Sequence, residues 1–344
     1  MEIICNQSEL NNAIQLVSKA VSSRPTHPIL ANILLTADLG TNKISLTGFD
    51  LNLGIQTSFD GTVKNSGAIT IPSKLLSEIV NKLPNETPVS LEVDNNSDNI
   101  LIKSDRGSFN LKGISSDDFP NLPFVESGTS LNIEPSSFLK ALKSTIFASS
   151  NDDSKQLLTG VNFTFKKNYL ESASTDGHRL AVALVGKEED IENKNDLPSN
   201  DDGLSVTIPT RSLREIEKLV SLRNSEDSIK LFYDKGQVVF ISSSQIITTR
   251  TLEGTYPNYS QLIPDTFSKI FNFKTKKLID ALERIAVLAD QQSSVVKIKL
   301  DNTDLASISA DAQDIGNAQE SIPVSYSGEN FDIAFNVRYL LEGL

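Results

Sequence analysis

The sequence predicts an α+β fold built from three copies of one unit. Two observations carry this reading: a strand-to-helix segment that occurs three times, and a Pro-Asn turn that recurs at the same spacing. The segment reads VTIPTRSLREIEK from Val206 to Lys218, ITIPSKLLSEIVNK from Ile69 to Lys82 and IAFNVRYLLEGL from Ile333 to Leu344. Aligned, Ile71, Ile208 and Phe335 match, as do Lys74, Arg211 and Arg338, then Leu76, Leu213 and Leu340, then Glu78, Glu215 and Glu342. The offsets are 208 − 71 = 137 and 335 − 208 = 127 residues. Phe119-Pro120-Asn121 and Tyr256-Pro257-Asn258 lie 257 − 120 = 137 residues apart, which repeats the first offset independently. Self-similarity at a period far above the ~50 residues of solenoid repeats means duplicated domains. Domains are expected at 1–127, 128–256 and 257–344.

Each copy of the segment reads as a short strand that stops at Pro or Asn and leads through Ser73, Thr210 or Val337 into an amphipathic helix. Ser73 and Thr210 are expected N-caps, because a hydroxyl there satisfies an otherwise orphan backbone N–H.

The rest of the chain fills in around these segments. Residues 5–22 place Leu10, Ala13, Ile14, Val17 and Val21 at helical spacing, which predicts a first helix. Arg24-Pro25-Thr26-His27-Pro28 ends it with two prolines. ILLTADL, KISLTGFDL and NLGIQTSF then alternate apolar and polar residues, punctuated by Gly40-Thr41-Asn42 and Gly48, and read as antiparallel strands. A helix over 73–83 follows, then strands PVSLEVD, NILIKS and SFNLKGI.

The second unit repeats this order. A helix with Phe138, Leu139, Leu142 and Ile146 on its apolar face carries Lys140 and Lys143. Strands LTGVNFTF, YLESAS and RLAVALV precede the second marker, and SIKLFYD, QVVFIS and ITTRTLEG follow it. The third unit opens with a helix over 275–289, then VVKIKL and LASISA, then the third marker. The strands that follow the marker helix in the first two units have no counterpart before Leu344. The third unit is therefore expected to be truncated.

Composition bounds the function. The chain has 344 residues, 38% hydrophobic, enough for a large core and two or three domains. One cysteine, Cys5, cannot form an intramolecular disulfide, so the fold does not call for an oxidising compartment and the cytoplasm is expected. No stretch approaches the roughly 18 consecutive apolar residues of a membrane span, and Met1 to Cys5 runs into a polar segment without a leader pattern. A soluble protein that is not exported is expected.

Net charge is 32 − 44 = −12, which by itself disfavours phosphate and anionic membranes. Its distribution changes that reading. Seven acids, Glu188, Glu189, Asp190, Glu192, Asp196, Asp201 and Asp202, face one base, Lys194, in a single Asn- and Gly-containing stretch, a solvated loop. Bases fall on helices instead. Arg211, Arg214 and Lys218 form one stripe opposite Leu213, Ile216 and Leu219. Lys74 with Lys82, Lys140 with Lys143, and Lys277 with Arg284 decorate three other helices. Such a surface tracks phosphates without reading sequence. No recognition helix or zinc finger is present, and aromatics are too sparse for a stacking platform.

Thr175-Asp176-Gly177-His178-Arg179-Leu180-Ala181 is the most distinctive string. Asp176 beside His178 invites a metal or triad reading, in which the chain would be a metal-dependent nuclease or hydrolase. The chain has only His27 and His178, with Cys5 far away. Metal sites need three or four converging ligands, and nucleophilic sites a nucleophile, base and orienting group. Neither assembles from spacing here, nor does any Walker loop or dinucleotide fingerprint. No catalytic residue, no metal and no cofactor are expected.

TDGHRLA at 175–181, Arg24-Pro25-Thr26 with Pro28-Ile29-Leu30, Leu46-Thr47-Gly48 with Asp50-Leu51, Asp118-Phe119-Pro120-Asn121-Leu122 and Tyr326-Ser327-Gly328 stand in one order along the whole chain. In these motifs and their order the chain resembles the bacterial DNA polymerase III beta subunit family, the sliding clamps. The resemblance implies three clamp-fold domains, each with two helices packed on antiparallel sheets. It further implies a head-to-tail homodimeric ring, helices inside, that encircles duplex DNA independently of sequence. Implied partners are the polymerase III catalytic subunit, the clamp loader and other clamp-binding-motif proteins, with no membrane.

By the resemblance and the helix charges together, the expected DNA contacts are Arg24, Lys74, Lys155, Arg211, Arg214 and Lys218. Gln156 and Leu157 depart from the family's aromatic or basic pattern beside Lys155. By motif match, Leu158, Thr175, Gly177, His178, Arg179, Leu180, Pro257 and Leu262 would form a partner-peptide pocket that works by apolar anchoring. Phe109 and Leu111 of one protomer would meet Val287 and Leu288 of the other. Because the third unit is expected to be truncated, the short chain is expected to dimerise poorly. The rival binding reading is thus an incomplete, monomeric clamp homologue that binds partner peptides without closing a ring.

Overall fold

The three marker strands occupy one and the same place in three sheets. Gly67–Pro72, Leu204–Pro209 and Phe331–Asn336 are each an edge strand. Each pairs antiparallel with the first strand of a three-stranded meander: Asn32–Asp38, Gly160–Phe165 and Val295–Leu300 respectively. The register repeats as well, since Ile71 faces Ile33, Ile208 faces Val161 and Phe335 faces Val296. A one-residue slip would turn these side chains from the core to solvent, so the buried face fixes the pairing.

The computed structural model describes the chain except residues 86, 95–96, 106, 126–127, 167–168, 186–202, 222–228, 243, 290–293, 302–303, 313–315 and 327. The acidic stretch from Glu188 to Asp202, together with Ser327 of the Tyr-Ser-Gly motif, lies outside the described residues.

Among the described residues, six α-helices form three pairs. They are α1 (Gln7–Val17), α2 (Ser73–Lys82), α3 (Pro135–Thr145), α4 (Thr210–Ser221), α5 (Thr275–Ala286) and α6 (Val337–Gly343). α1 packs on α2, α3 on α4, and α5 on α6, so the threefold repeat read from sequence is a repeat of helix pairs over sheets. Each helix turns an apolar stripe inward. In α4, Leu213, Ile216, Leu219 and Val220 are buried while Arg211, Arg214 and Lys218 are exposed. Full burial of one such side chain contributes about 1.5–3 kcal/mol.

Several expectations need correction. Each unit begins with a short strand, not with its helix: Glu2–Asn6, Thr129–Ile133 and Asn272–Phe273. In the first of these only Ile3 and Cys5 point inward, too short a run for alternation to be read. α1 ends at Val17 and continues as a 3-10 turn over Ser18–Ala20, and α5 ends at Ala286 rather than at residue 289.

The predicted hydroxyl caps are absent too. Pro72 holds the N-cap position of α2 with no side-chain hydrogen bond, and the Ser73 hydroxyl meets the Ser18 hydroxyl at 3.1 Å. Thr210 Oγ1 is buried with no hydrogen-bond partner among the described residues. α6 is capped from its marker by Asn336, whose Oδ1 accepts from the Arg338 amide at 3.0 Å.

The chain folds as two compact units: residues 1–173 with 182–254, and residues 174–181 with 255–344. Within the first, Leu53–Asp60 pairs with Gln245–Arg250. This joins strands of the first and second repeats into one eight-stranded sheet, which explains why two repeats form one body. Its core includes Phe138, whose ring lies 5.6 Å from Phe163 and 5.8 Å from Phe240. The second unit has its own core around Leu282, Ile285, Val296, Ile298 and Ile308. Among the described residues no helix is long and apolar enough to cross a membrane.

Candidate functional site

The helices present the cations that sequence spacing put on their polar faces. Lys74 on α2, and Arg211, Arg214 and Lys218 on α4, are exposed, as are Arg24 in the loop after α1 and Lys155 in the 3-10 segment Asp153–Thr159. They are not equally available. Lys218 Nζ pairs with Glu215 one turn away at 3.0 Å. Arg211 is anchored: Nη1 donates to Asp50 Oδ2 at 2.6 Å, and Nη2 to the Lys19 carbonyl at 3.2 Å. Arg214 forms no ion pair with a described residue. On α5, Arg284 is held by both oxygens of Glu320, at 2.9 and 2.5 Å.

The Thr175–Leu180 string is a tightly bonded turn. Asp176 Oδ1 accepts from the amides of His178 and Arg179 at 2.8 and 3.1 Å, and Oδ2 from Arg179 Nε at 3.1 Å. Thr175 Oγ1 donates to the Arg179 carbonyl at 2.6 Å and accepts from the Gly177 amide at 3.1 Å. Gly177 sits at φ +93°, a conformation glycine adopts without a Cβ penalty. Both Asp176 oxygens are thus committed to the turn and not to a reaction. Among the described residues no cluster of three His, Cys, Asp or Glu could hold a metal.

Residues from the last part of the chain complete this cluster. The Thr175 amide donates to Tyr256 Oη at 3.1 Å. Burial pushes the Tyr256 phenol up to about 12, against the opposing effect of that hydrogen bond. Arg179 also pairs with Glu342, and its guanidinium carbon lies 4.5 Å from the Tyr339 ring centroid, a cation–π contact. Pro257 and Leu262 belong to this same compact unit and are exposed, Leu262 by 74%. Leu158, half-buried, belongs to the other unit. Sequence reasoning missed Tyr256, Tyr339 and Glu342. Glu342 had been visible as the third copy of the marker glutamate, but its partner lies 163 residues away.

Phe109 and Leu111 lie on Gly107–Lys112, an edge strand of the sheet that also holds Glu2–Asn6. Phe109 is 37% exposed and Leu111 half-buried. Val287 caps the C-terminus of α5 and is 81% exposed, with Leu288 half-buried beside it. Arg106, which precedes that edge strand, lies outside the described residues.

Comparison with known proteins accounts for the repeat. Family models of the DNA polymerase III beta subunit match in series: the N-terminal domain over residues 1–123, the central domain over 132–258 and the C-terminal domain over 260–344. The beta sliding clamp of Synechococcus elongatus is 48% identical over 346 residues, covering all of this chain and 89% of the relative. That of Bacillus subtilis is 32% identical over 355 residues, covering all of this chain and 90% of the relative. Among solved structures, the C. crescentus beta sliding clamp superposes with a TM-score of 0.90 at 27% identity, and the Bacillus subtilis clamp with 0.88 at 30%. Each covers all of this chain and 89% of the solved one. The chain belongs to the DNA polymerase III beta subunit family, the beta sliding clamps, non-catalytic processivity factors of DNA replication.

Proposed function

We propose that this chain tethers the replicative polymerase to duplex DNA as one protomer of a head-to-tail ring in the cytoplasm. The observation that carries the reading is the exposed cation set on α2 and α4, Lys74, Arg214 and Lys218, in an otherwise acidic chain. Arg24, Lys155 and Arg211 complete the proposed phosphate contacts. The domains of the protomer are proposed at 1–127, 128–256 and 257–344. Contacts of this kind neutralise phosphates without reading bases, so log affinity falls with log salt at about 0.9 per phosphate neutralised.

Leu158, Thr175, Gly177, His178, Arg179, Leu180, Pro257 and Leu262 are proposed to receive an apolar peptide from the polymerase III catalytic subunit, the clamp loader or another clamp-binding-motif protein. Support comes from exposed Pro257 and Leu262 in the same compact unit as the rigid Thr175–Leu180 turn. Leu180→Asp should abolish peptide binding, because a charge would be desolvated in the groove. Unchanged affinity in a folded variant would remove that pocket.

The test of tethering is retention. After incubation with a clamp loader and ATP, the protein should co-elute with nicked circular DNA in high salt and be lost once the circle is linearised. Equal retention on circular and linear DNA would overturn the ring reading, and a strong preference for one sequence would overturn the phosphate reading.

A further inference from the structure

The first repeat contains a cavity of about 680 Å³ walled by Ile29, Leu30, Leu51, Ile114 and Pro120. His27 and Asp118 are the polar side chains that line it. The volume falls within the ~300–1,000 Å³ of ligand pockets. Leu51 and Ile114 are 41% and 38% exposed, so large apolar side chains stand open to it.

Three of these walls correspond, through the internal duplication, to residues of the proposed peptide pocket. Leu30 stands two residues before the strand Asn32–Asp38, as Leu158 stands two before Gly160–Phe165. Pro120 and Pro257 occupy the repeated Pro-Asn turn. The third correspondence is in backbone geometry. Asp50 Oδ1 accepts from the amides of Asn52 and Leu53 at 3.0 and 2.8 Å, the same i+2 and i+3 pattern that Asp176 makes with His178 and Arg179. In both turns the residue after the aspartate has positive φ, +75° at Leu51 and +93° at Gly177.

Leu51 is therefore a leucine in a conformation that glycine takes without strain. The turn retains a strained residue whose side chain opens onto the cavity instead of entering the core, as expected where strain serves binding. Charge separates the two repeats. Asn52 and Leu53 stand in the turn where the second repeat has His178 and Arg179, so the first turn lacks that arginine. Asp118 stands two residues before Pro120, where the second repeat has Thr255 before Pro257. Asp117 and Asp118 are exposed, so the rim is acidic.

We infer that this cavity is a second peptide-docking site, for a short partner segment carrying two large apolar side chains and a lysine or arginine. The apolar side chains fill the space between Leu30, Leu51 and Ile114, and the cation meets Asp118. A segment with a carboxylate at that place is rejected.

The probe is a fluorescein-labelled acetyl-Leu-Lys-Phe-Leu amide, titrated by anisotropy against the full chain carrying Leu180→Asp, the substitution expected to disable the proposed pocket around Leu180, Pro257 and Leu262. Saturation at one peptide per chain is expected. Leu51→Gly removes the wall and relieves the strained φ, so the protein should melt no lower than its parent while affinity falls at least about tenfold, a change of roughly 1.4 kcal/mol. Glu in place of Lys in the probe should weaken binding, and Asp118→Asn should abolish that discrimination. Unchanged affinity in Leu51→Gly, or no binding to the Leu180→Asp protein, overturns the site. Retention on circular DNA, measured in the same preparation, tells that failure apart from a failure of the tethering reading.

Discussion

The Arg211 guanidinium on α4 donates to Asp50 Oδ2 at 2.6 Å across 161 residues of sequence, tying the second repeat to a turn of the first. The same turn holds Leu51 at positive φ, and the Asp50 side chain is 7% exposed. The marker cation of the second repeat is thus a strut between repeats before it is a phosphate contact.

Arg211 and Arg214 should consequently behave differently toward DNA. Arg214→Ala removes an uncommitted cation and should lower the slope of log affinity against log salt by about 0.9, the value of one neutralised phosphate. Arg211→Ala should lower it by less. A double-mutant cycle with Asp50→Asn should give a coupling of about 0.5–1 kcal/mol in urea unfolding, kept small because the arginine is largely solvated. Equal salt slopes for the two variants would show that the Asp50 pair opens on DNA.

Gly48 allows a close approach that no side chain tolerates. A Cβ there would lie 2.2 Å from the Val17 carbonyl oxygen at the end of α1, and that oxygen belongs to backbone, which cannot move aside as a side-chain tip can. Gly48→Ala should destabilise the first unit by about 1–3 kcal/mol, the usual cost of overpacking. Urea titration reads it, and a midpoint unchanged from wild type would refute the close contact.

Glu134 caps α3. Its Oε1 accepts from the Ser136 amide at 2.8 Å and its Oε2 from the Ser137 amide at 2.5 Å. Burial raises the carboxyl's pKa, but hydrogen bonds from Ser136 and Ser137 outweigh it and hold the group below the usual 4.5. A carboxylate depressed in the folded state stabilises it above the unfolded pKa, and that contribution is lost as pH falls through the folded value. Glu134→Ala should therefore cost about 0.5–2 kcal/mol near neutral pH. The difference from wild type should narrow as pH drops below 4.5. An equal difference at both pH values would mean the loss comes from packing.

The sequence made the repeat legible because the same physics acts three times at one register: an edge strand with its inward residue opposite Ile33, Val161 or Val296, then an amphipathic helix. What stayed hidden depends on tertiary proximity. Glu2–Asn6 is a strand because Pro88–Asp94 lies beside it, not because five residues carry a pattern. Ser73 looked like a cap by residue type, yet the chain enters α2 from Pro72 and turns the hydroxyl toward Ser18. The cations of α4 were placed by helical period alone, whereas the partner that engages Arg211 lies in a different repeat. Glu342 reaches Arg179 for the same reason, through folding and not spacing.

Head-to-tail association is proposed to run through the edge strand that holds Phe109 and Leu111 and through the end of α5. An edge strand leaves one row of N–H and C=O groups unpaired and invites another chain. Along Gly107–Lys112 the pairing with Asn99–Ser104 satisfies one side, with Phe109 opposite Ile102 and Leu111 opposite Ile100. Phe109 and Leu111 are two apart, so their side chains share a face, and Phe109 is 37% exposed. Val287, at 81% exposure, lies beyond the last turn of α5, where no residue of its own helix covers it. Exposed large apolar side chains at both proposed surfaces would be covered by association and otherwise remain in water. Phe109→Asp should therefore weaken self-association at micromolar concentration by at least about tenfold, since it puts a charge into an apolar contact. Val287→Asp should do the same, and each variant should keep the wild-type unfolding midpoint as a monomer because neither side chain lies in the core. Sedimentation of both variants beside wild type decides it: identical association constants for all three proteins would place the interface elsewhere.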